Sequence, residues 1–275
     1  MQRLLECLQG DASEELVASA LAPRTRELIF DLHANHVVQR CVATLRGGRN
    51  AFIIDEVSRN FLEVATHRHG CCVLQRCLDS ASGSARTALL DSVSEHTRRL
   101  ITDQCGNYVV QYVLQDRDAE MTRRVVRAIR GDVADLACEK FSSNVIEKCL
   151  TSGVRAAAAF ARILARARPP AAACAHVRRP TPVAAIARRA SQDGVSCGLV
   201  VDELLEPPAL GRLLHDPYGN YVVQRVMQVG SDAELRLFQE RVAPHVSSLR
   251  NTLYGKRIQA KLLKVFPNMP LARAQ

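Results

Sequence analysis

The stretch Tyr218-Gly219-Asn220-Tyr221-Val222-Val223-Gln224 recurs in altered form along the chain. His33-Ala34-Asn35-His36-Val37-Val38-Gln39, His69-Gly70-Cys71-Cys72-Val73-Leu74-Gln75, Cys105-Gly106-Asn107-Tyr108-Val109-Val110-Gln111 and Phe141-Ser142-Ser143-Asn144-Val145-Ile146-Glu147 are the other copies. Counted on the third residue, Asn35, Cys71, Asn107 and Ser143 follow one another at intervals of 36. Ser143 to Asn220 is 77, so one repeat carries 41 extra residues, and a further 36 lands on Lys256. A fixed period of this length belongs to stacked repeat architectures, in which each unit buries one face against its neighbours.

Each copy reads as a helix. At about 100° per residue, the apolar pair (Val222 and Val223, for example) falls at about 200° and 300° from the third residue. The residue six on is Cys41, Cys77, Val113, Cys149 or Val226 and falls between them. These positions form a buried stripe. The third, fourth and seventh residues fall on the other side, which is polar and is expected to stand out as a ladder along the stack. The residue before the ladder is always small (Ala34, Gly70, Gly106, Ser142, Gly219), which allows close approach of helices or of a ligand backbone.

Outward from the ladder, the spacing predicts a turn with Gly or Ser after each recognition helix, then a helix such as Arg49–Val57 or Arg86–Val93. Glu14–Leu21 is amphipathic and is broken by Pro23, and Leu4–Leu8 is a shorter amphipathic piece. Gln2-Arg3-Leu4-Leu5 resembles Gln39-Arg40-Cys41-Val42, so the chain is expected to start inside the recognition helix of a further repeat, with upstream repeats absent. The repeats are expected at 24–59, 60–95, 96–131, 132–208 and 209–244, with a partial repeat over 1–23 and an end cap over 245–275. Residues 166–197, rich in Ala, Arg and Pro, are expected to be a mobile basic insertion, better read as a solvated linker than as an RNA contact. Leu199–Leu205 then resumes the repeat.

Composition narrows the partners. The 275 residues are 47% hydrophobic and carry a net charge of +9, so a basic solenoid with an acidic ligand, nucleic acid first, is the expectation. Tyr108 and Tyr221, two of only five tyrosines, share one repeat position. The ten cysteines form no CxxC pair and no set with zinc-ligand spacing, and Cys41, Cys77 and Cys149 share a position that Val fills elsewhere. Small apolar packing in a reducing compartment accounts for them better than metal or disulfide. No signal peptide or membrane-spanning run is visible, and a soluble cytoplasmic protein is expected. No GxxxxGK, HExxH or GxSxG motif is present, so no catalytic residue, cofactor or small-molecule substrate is expected.

The ladder carries the chemistry. On a helix the third and seventh residues stand one turn apart, with the fourth beside them. A base held flat between neighbouring fourth-position side chains would present its edge to the other two. Asn35/Gln39, Asn107/Gln111 and Asn220/Gln224 offer amide donors and acceptors. Ser143/Glu147 offers a carboxylate, which suits the adjacent N–H donors of guanine. Cys71/Gln75 leaves room for a purine. His36, Tyr108 and Tyr221 are candidate stackers, with Cys72 and Asn144 in the same column. The residues that follow, Arg40, Arg76, Tyr112, Lys148 and Arg225, either steer phosphates or form salt bridges between repeats, the second being the simpler reading.

This pattern resembles a Pumilio/PUF-family RNA-binding domain over nearly the whole chain outside the insertion. The resemblance implies an all-α, right-handed, crescent-shaped α-solenoid of three-helix repeats, with single-stranded RNA on the concave face and one base per repeat. It implies reversed polarity, with Asn/Gln reading U, Cys/Gln reading A and Ser/Glu reading G. From the C-terminal end that spells 5′-UGUAU, akin to the UGUA core of the family's targets in mRNA 3′ untranslated regions. It further implies repression or decay of those mRNAs, with deadenylase or translational-repressor proteins on the convex face. Cys72 departs from the Arg or aromatic stacker usual in the family, so the A and the base beside it would be held weakly. Two other readings compete. One is a nucleolar PUF-like factor for ribosomal RNA, whose relatives have degenerate ladders. The other is an armadillo- or HEAT-like protein-binding scaffold, which has no reason to keep polar pairs at one phase.

Overall fold

The computed structural model describes Leu5 and residues 10–115, 119–151, 198–249 and 254–266. The insertion expected over 166–197 and most of the first nine residues lie outside them. Every regular element among the described residues is helical. The chain divides into two compact units, Met1–Val113 and Leu114–Gln275.

The first unit opens with α1 (Asp11–Leu21) and a single 3₁₀ turn, Ala22–Arg24. The α-helix ends at Leu21, as Pro23 requires, and Pro23 sits in the first turn of the 3₁₀ segment, where its missing N–H costs nothing, before the chain turns into α2. Helices α2 (Thr25–Phe30), α3 (Ala34–Thr44) and α4 (Ala51–Arg59) form one triplet. Helices α5 (Phe61–Thr66), α6 (Gly70–Ser80) and α7 (Gly83–Glu95) form the next. Helices α8 (Thr97–Thr102) and α9 (Gly106–Gln115) begin a third. The helix expected over Arg49–Val57 starts two residues later, because Arg49 and Asn50 lie in the turn that follows Gly47 and Gly48.

In the second unit, α10 (Ala119–Ile129) precedes α11 (Val133–Ala137), α12 (Ser142–Thr151) and α13, residues 198–204. Then come α14 (Pro207–His215), α15 (Gly219–Val229) and α16 (Asp232–Val242). A 3₁₀ turn, α17 (Val246–Leu249) and α18 (Gly255–Val265) close the described chain. Ser231 starts α16 with a reciprocal cap: its hydroxyl accepts from the Glu234 N–H, and the Glu234 carboxylate accepts from the Ser231 N–H at 2.6 Å.

Recognition helices lie side by side within each unit: α3 packs on α6, and α12 packs on α15 across the long insertion. The expected stripe is the core. Cys41, Cys77 and Cys149 are fully buried, as are Val226 and, nearly so, Val113. The next residue along each helix, Val42, Leu78, Leu114, Leu150 or Met227, is buried too and widens the stripe beyond the three positions read from the sequence.

The small residue ahead of the ladder serves helix packing. A Cβ on Gly70 would lie 2.4 Å from the Val64 carbonyl oxygen, and one on Gly106 would lie 2.8 Å from that of Leu100. Neither glycine needs an unusual φ; each is there because the short helix before it presses its last-turn backbone against the recognition helix.

The resumed chain after the insertion is fastened back to the second unit. Glu203 on α13 accepts from the Gly131 N–H at 3.0 Å and from the Val133 N–H at 3.4 Å. Arg241 on α16 donates to the Leu205 carbonyl at 2.8 Å.

Candidate RNA-reading face

Four of the five recognition helices are wired at their start by the side chain of the residue four before the ladder, and the exception is α12. The Asp31 carboxylate accepts from the His33 and Ala34 N–H groups at 2.8 and 2.7 Å. Asp103 does the same for Cys105 and Gly106, and Asp216 for Tyr218 and Gly219. In the second triplet His67 replaces the aspartate. Its Nδ1 accepts from the His69 and Gly70 N–H groups at 3.2 and 3.3 Å, which fixes the proton on Nε2. Burial, with the nearby His69 and Arg68 charges, holds His67 below the usual histidine range. Asp31, Asp103 and Asp216 form a column at this spacing in the sequence itself.

The third-position residues differ from expectation. Asn35, Asn107 and Asn220 are each 1% exposed, and Cys71 and Ser143 each 5%, so they do not stand out from the surface. The reason lies in the preceding turn. Asn35 Nδ2 donates to the Asp31 and Leu32 carbonyls at 2.8 and 2.9 Å. Asn107 and Asn220 repeat this on Asp103 and Gln104, and on Asp216 and Pro217. With its nitrogen placed between carbonyls, each asparagine turns its oxygen to the glutamine one turn on. Gln39, Gln111 and Gln224 donate to that oxygen at 2.9, 2.8 and 2.9 Å.

Each glutamine is thereby locked in one orientation, and Gln224, expected to stand out from the surface, is itself buried at 6% exposed. The Nε2 of each keeps a second N–H, and its carbonyl oxygen has no partner among the described residues. A donor and an acceptor side by side on a fixed amide match the N3–H and an adjacent carbonyl of uracil. Ser143 makes no such link to Glu147: its hydroxyl donates to the Lys140 carbonyl at 3.4 Å. The Glu147 carboxylate is held from α15 instead, by Arg225 Nε at 3.2 Å. Cys71 is a protonated thiol, pushed up to about 12 chiefly by burial, and leaves Gln75 without an amide to lean on.

The fourth-position residues stand out as expected. Tyr108 is 58% exposed and Tyr221 46%, and His36, Cys72 and Asn144 are exposed as well. A large exposed aromatic at one phase of a repeat is poorly explained by packing, and suits stacking on a planar ligand. In the following column, the Tyr112 hydroxyl donates to the Asp79 carboxylate and Arg225 pairs with Glu147, each reaching the preceding recognition helix. Arg76 pairs with Asp79 on its own helix at 3.2 Å.

Among the described residues no group of His, Cys, Asp or Glu is arranged to hold a metal ion, and no helix is long and apolar enough to cross a membrane.

Comparison with known proteins gives the same pattern a family. The model of the Pumilio-family RNA binding repeat matches residues 25–58, 60–94, 96–130, 132–154 and 212–240. Putative pumilio homolog 8 of Arabidopsis thaliana is 34% identical over 263 residues, covering 96% of this chain and 43% of that protein. Pumilio homology domain family member 4 of Saccharomyces cerevisiae is 32% identical over 256 residues, covering 90% of this chain and 24% of that protein. The chain thus spans less than half the length of these curated relatives. Among solved structures, the Puf4 RNA binding domain bound to the HO endonuclease RNA 3′ UTR recognition sequence matches with a TM-score of 0.75 and 31% identity, over 95% of this chain and 72% of that one. PUF-8 in complex with PBE-RNA matches with a TM-score of 0.75 and 25% identity, over 96% of this chain and 68% of that one. The chain belongs to the Pumilio family of RNA-binding repeat proteins.

Proposed function

We propose that this chain is a sequence-specific, single-stranded RNA-binding module that reads 5′-UGUAU in the 3′ untranslated regions of mRNAs and lowers their translation or stability. Asn220/Gln224 takes the first U, Ser143/Glu147 the G, Asn107/Gln111 the second U, Cys71/Gln75 the A and Asn35/Gln39 the last U. His36, Cys72, Tyr108, Asn144 and Tyr221 cover the bases. The observation that carries the reading is the three identical amide pairs, each an asparagine tied to two carbonyls and a glutamine tied to the asparagine. Three repeats that fix the same donor–acceptor pair and one that substitutes a carboxylate have the form of a code, one base per repeat. The RNA-bound Puf4 and PUF-8 structures support the ligand class. The net charge of +9 adds attraction for phosphates, so affinity falls with salt. Filter-binding titrations with UGUAU and a scrambled pentamer test the reading: preference for UGUAU is expected, and equal affinity for the two RNAs contradicts it.

A further inference from the structure

We propose that Arg225 is a positioning residue for guanine selection, acting through the Glu147 carboxylate of the neighbouring recognition helix. The inference rests on the assignment of Ser143 and Glu147 to the second base of the site.

The three reading glutamines are oriented from within their own helices, each by an asparagine one turn back. Glu147 lacks that support, because Ser143 bonds to the Lys140 carbonyl and not to it. Among the described residues the carboxylate's partner is Arg225, whose Nε lies 3.2 Å from Oε2. Arg225 is itself braced along α15, where Nη1 donates to the Gln228 side-chain oxygen at 2.8 Å. The brace is on a different helix from the carboxylate, so the pair spans two repeats.

The pairing is compatible with guanine. A carboxylate oxygen has two lone pairs, so Oε2 serves Arg225 with one and keeps the other, while Oε1 is open. The guanine N1–H and N2–H need two acceptors side by side and find them. Adenine presents an acceptor nitrogen and one amine, so its N1 lone pair faces an oxygen. That discrimination exists only while the carboxylate stays in place. Without Arg225, a base laid over Glu147 would cover a charge with no counter-charge, and the flexible side chain would turn to solvent. Guanine would lose its two acceptors and adenine its repulsion, so the preference for guanine would shrink.

Arg225 directly follows Gln224, which reads the first base. A merely structural role in α15 would therefore disturb the first base at least as much as the second. The test is equilibrium binding of UGUAU, UAUAU and CGUAU to wild type, Arg225→Gln, Arg225→Lys, Glu147→Gln and the double variant with both glutamines. Arg225→Gln should cut the preference for UGUAU over UAUAU by about tenfold, the scale of one charge-assisted hydrogen bond. Its preference for UGUAU over CGUAU should stay as in wild type. Arg225→Lys should restore part of the loss, and in the Glu147→Gln background Arg225→Gln should have no further effect on the second base. Wild-type selectivity retained by Arg225→Gln overturns the inference alone, as does an equal loss at the first and second bases. A wild type with no preference for UGUAU over UAUAU overturns the assignment of Ser143 and Glu147 and the inference with it.

Discussion

The Ser142 hydroxyl donates to the Leu136 carbonyl at 2.6 Å, the carbonyl whose counterparts in neighbouring triplets abut the glycines. Val64 and Leu100 hold the equivalent place against Gly70 and Gly106, at distances that leave no room for a Cβ. Where Ser142 stands in place of a glycine, its side chain spans this contact with a hydrogen bond.

Gly70→Ala is therefore expected to destabilise the protein by about 1–3 kcal/mol, since the clash is with backbone and the short helix must shift. Ser142→Gly loses one hydrogen bond and some backbone rigidity, at about 1–2 kcal/mol. Urea unfolding of both variants checks this. A Gly70→Ala protein as stable as wild type would mean that the helices are not pressed together there.

The second prediction concerns pH. His67 accepts two backbone N–H groups through Nδ1 and must be neutral to do so. Its folded pKa is lowered, so its contribution is fully present above the ordinary histidine value and is lost as pH falls from there through the folded value. His67→Asp restores the carboxylate used by Asp31, Asp103 and Asp216, and it should remove this part of the decline in melting temperature between about pH 7 and 5. Parallel pH–melting curves for the two proteins would contradict the role of Nδ1.

Much of this was legible in the sequence, and the misses have definite causes. The period, the buried Cys41–Cys77–Cys149 column and the exposed Tyr108 and Tyr221 follow from helical phase alone. The burial of Asn35, Asn107 and Asn220 does not, because phase within one helix says nothing about the carbonyls of the turn before it. Arg225 was visible as one of a basic column, but its partner Glu147 lies 78 residues away across the insertion. Only the packing of α12 on α15 brings the two together.

The third prediction is a gain. Cys72 is exposed in the stacking column, where Tyr108 and Tyr221 stand in their own repeats. Cys72→Tyr should tighten binding of UGUAU by about 1–3 kcal/mol, the scale of a base–aromatic stack, without altering base preference. Competition binding against single-base variants of the RNA reads both effects. Unchanged affinity would place the bases away from this column.

The most direct measurement exchanges one side chain and one base. Wild type should prefer UGUAU over UAUAU by roughly 1–3 kcal/mol, since the Glu147 carboxylate accepts from guanine and meets a lone pair on adenine. Glu147→Gln replaces one acceptor oxygen with a donor amide, giving the repeat a short side chain and a glutamine like Cys71 and Gln75, and should shift the preference toward UAUAU. Binding of both RNAs to both proteins closes the cycle. A strong coupling between residue 147 and the second base, with the other four positions unchanged, is the predicted result; a coupling near zero would mean that this repeat does not read that base.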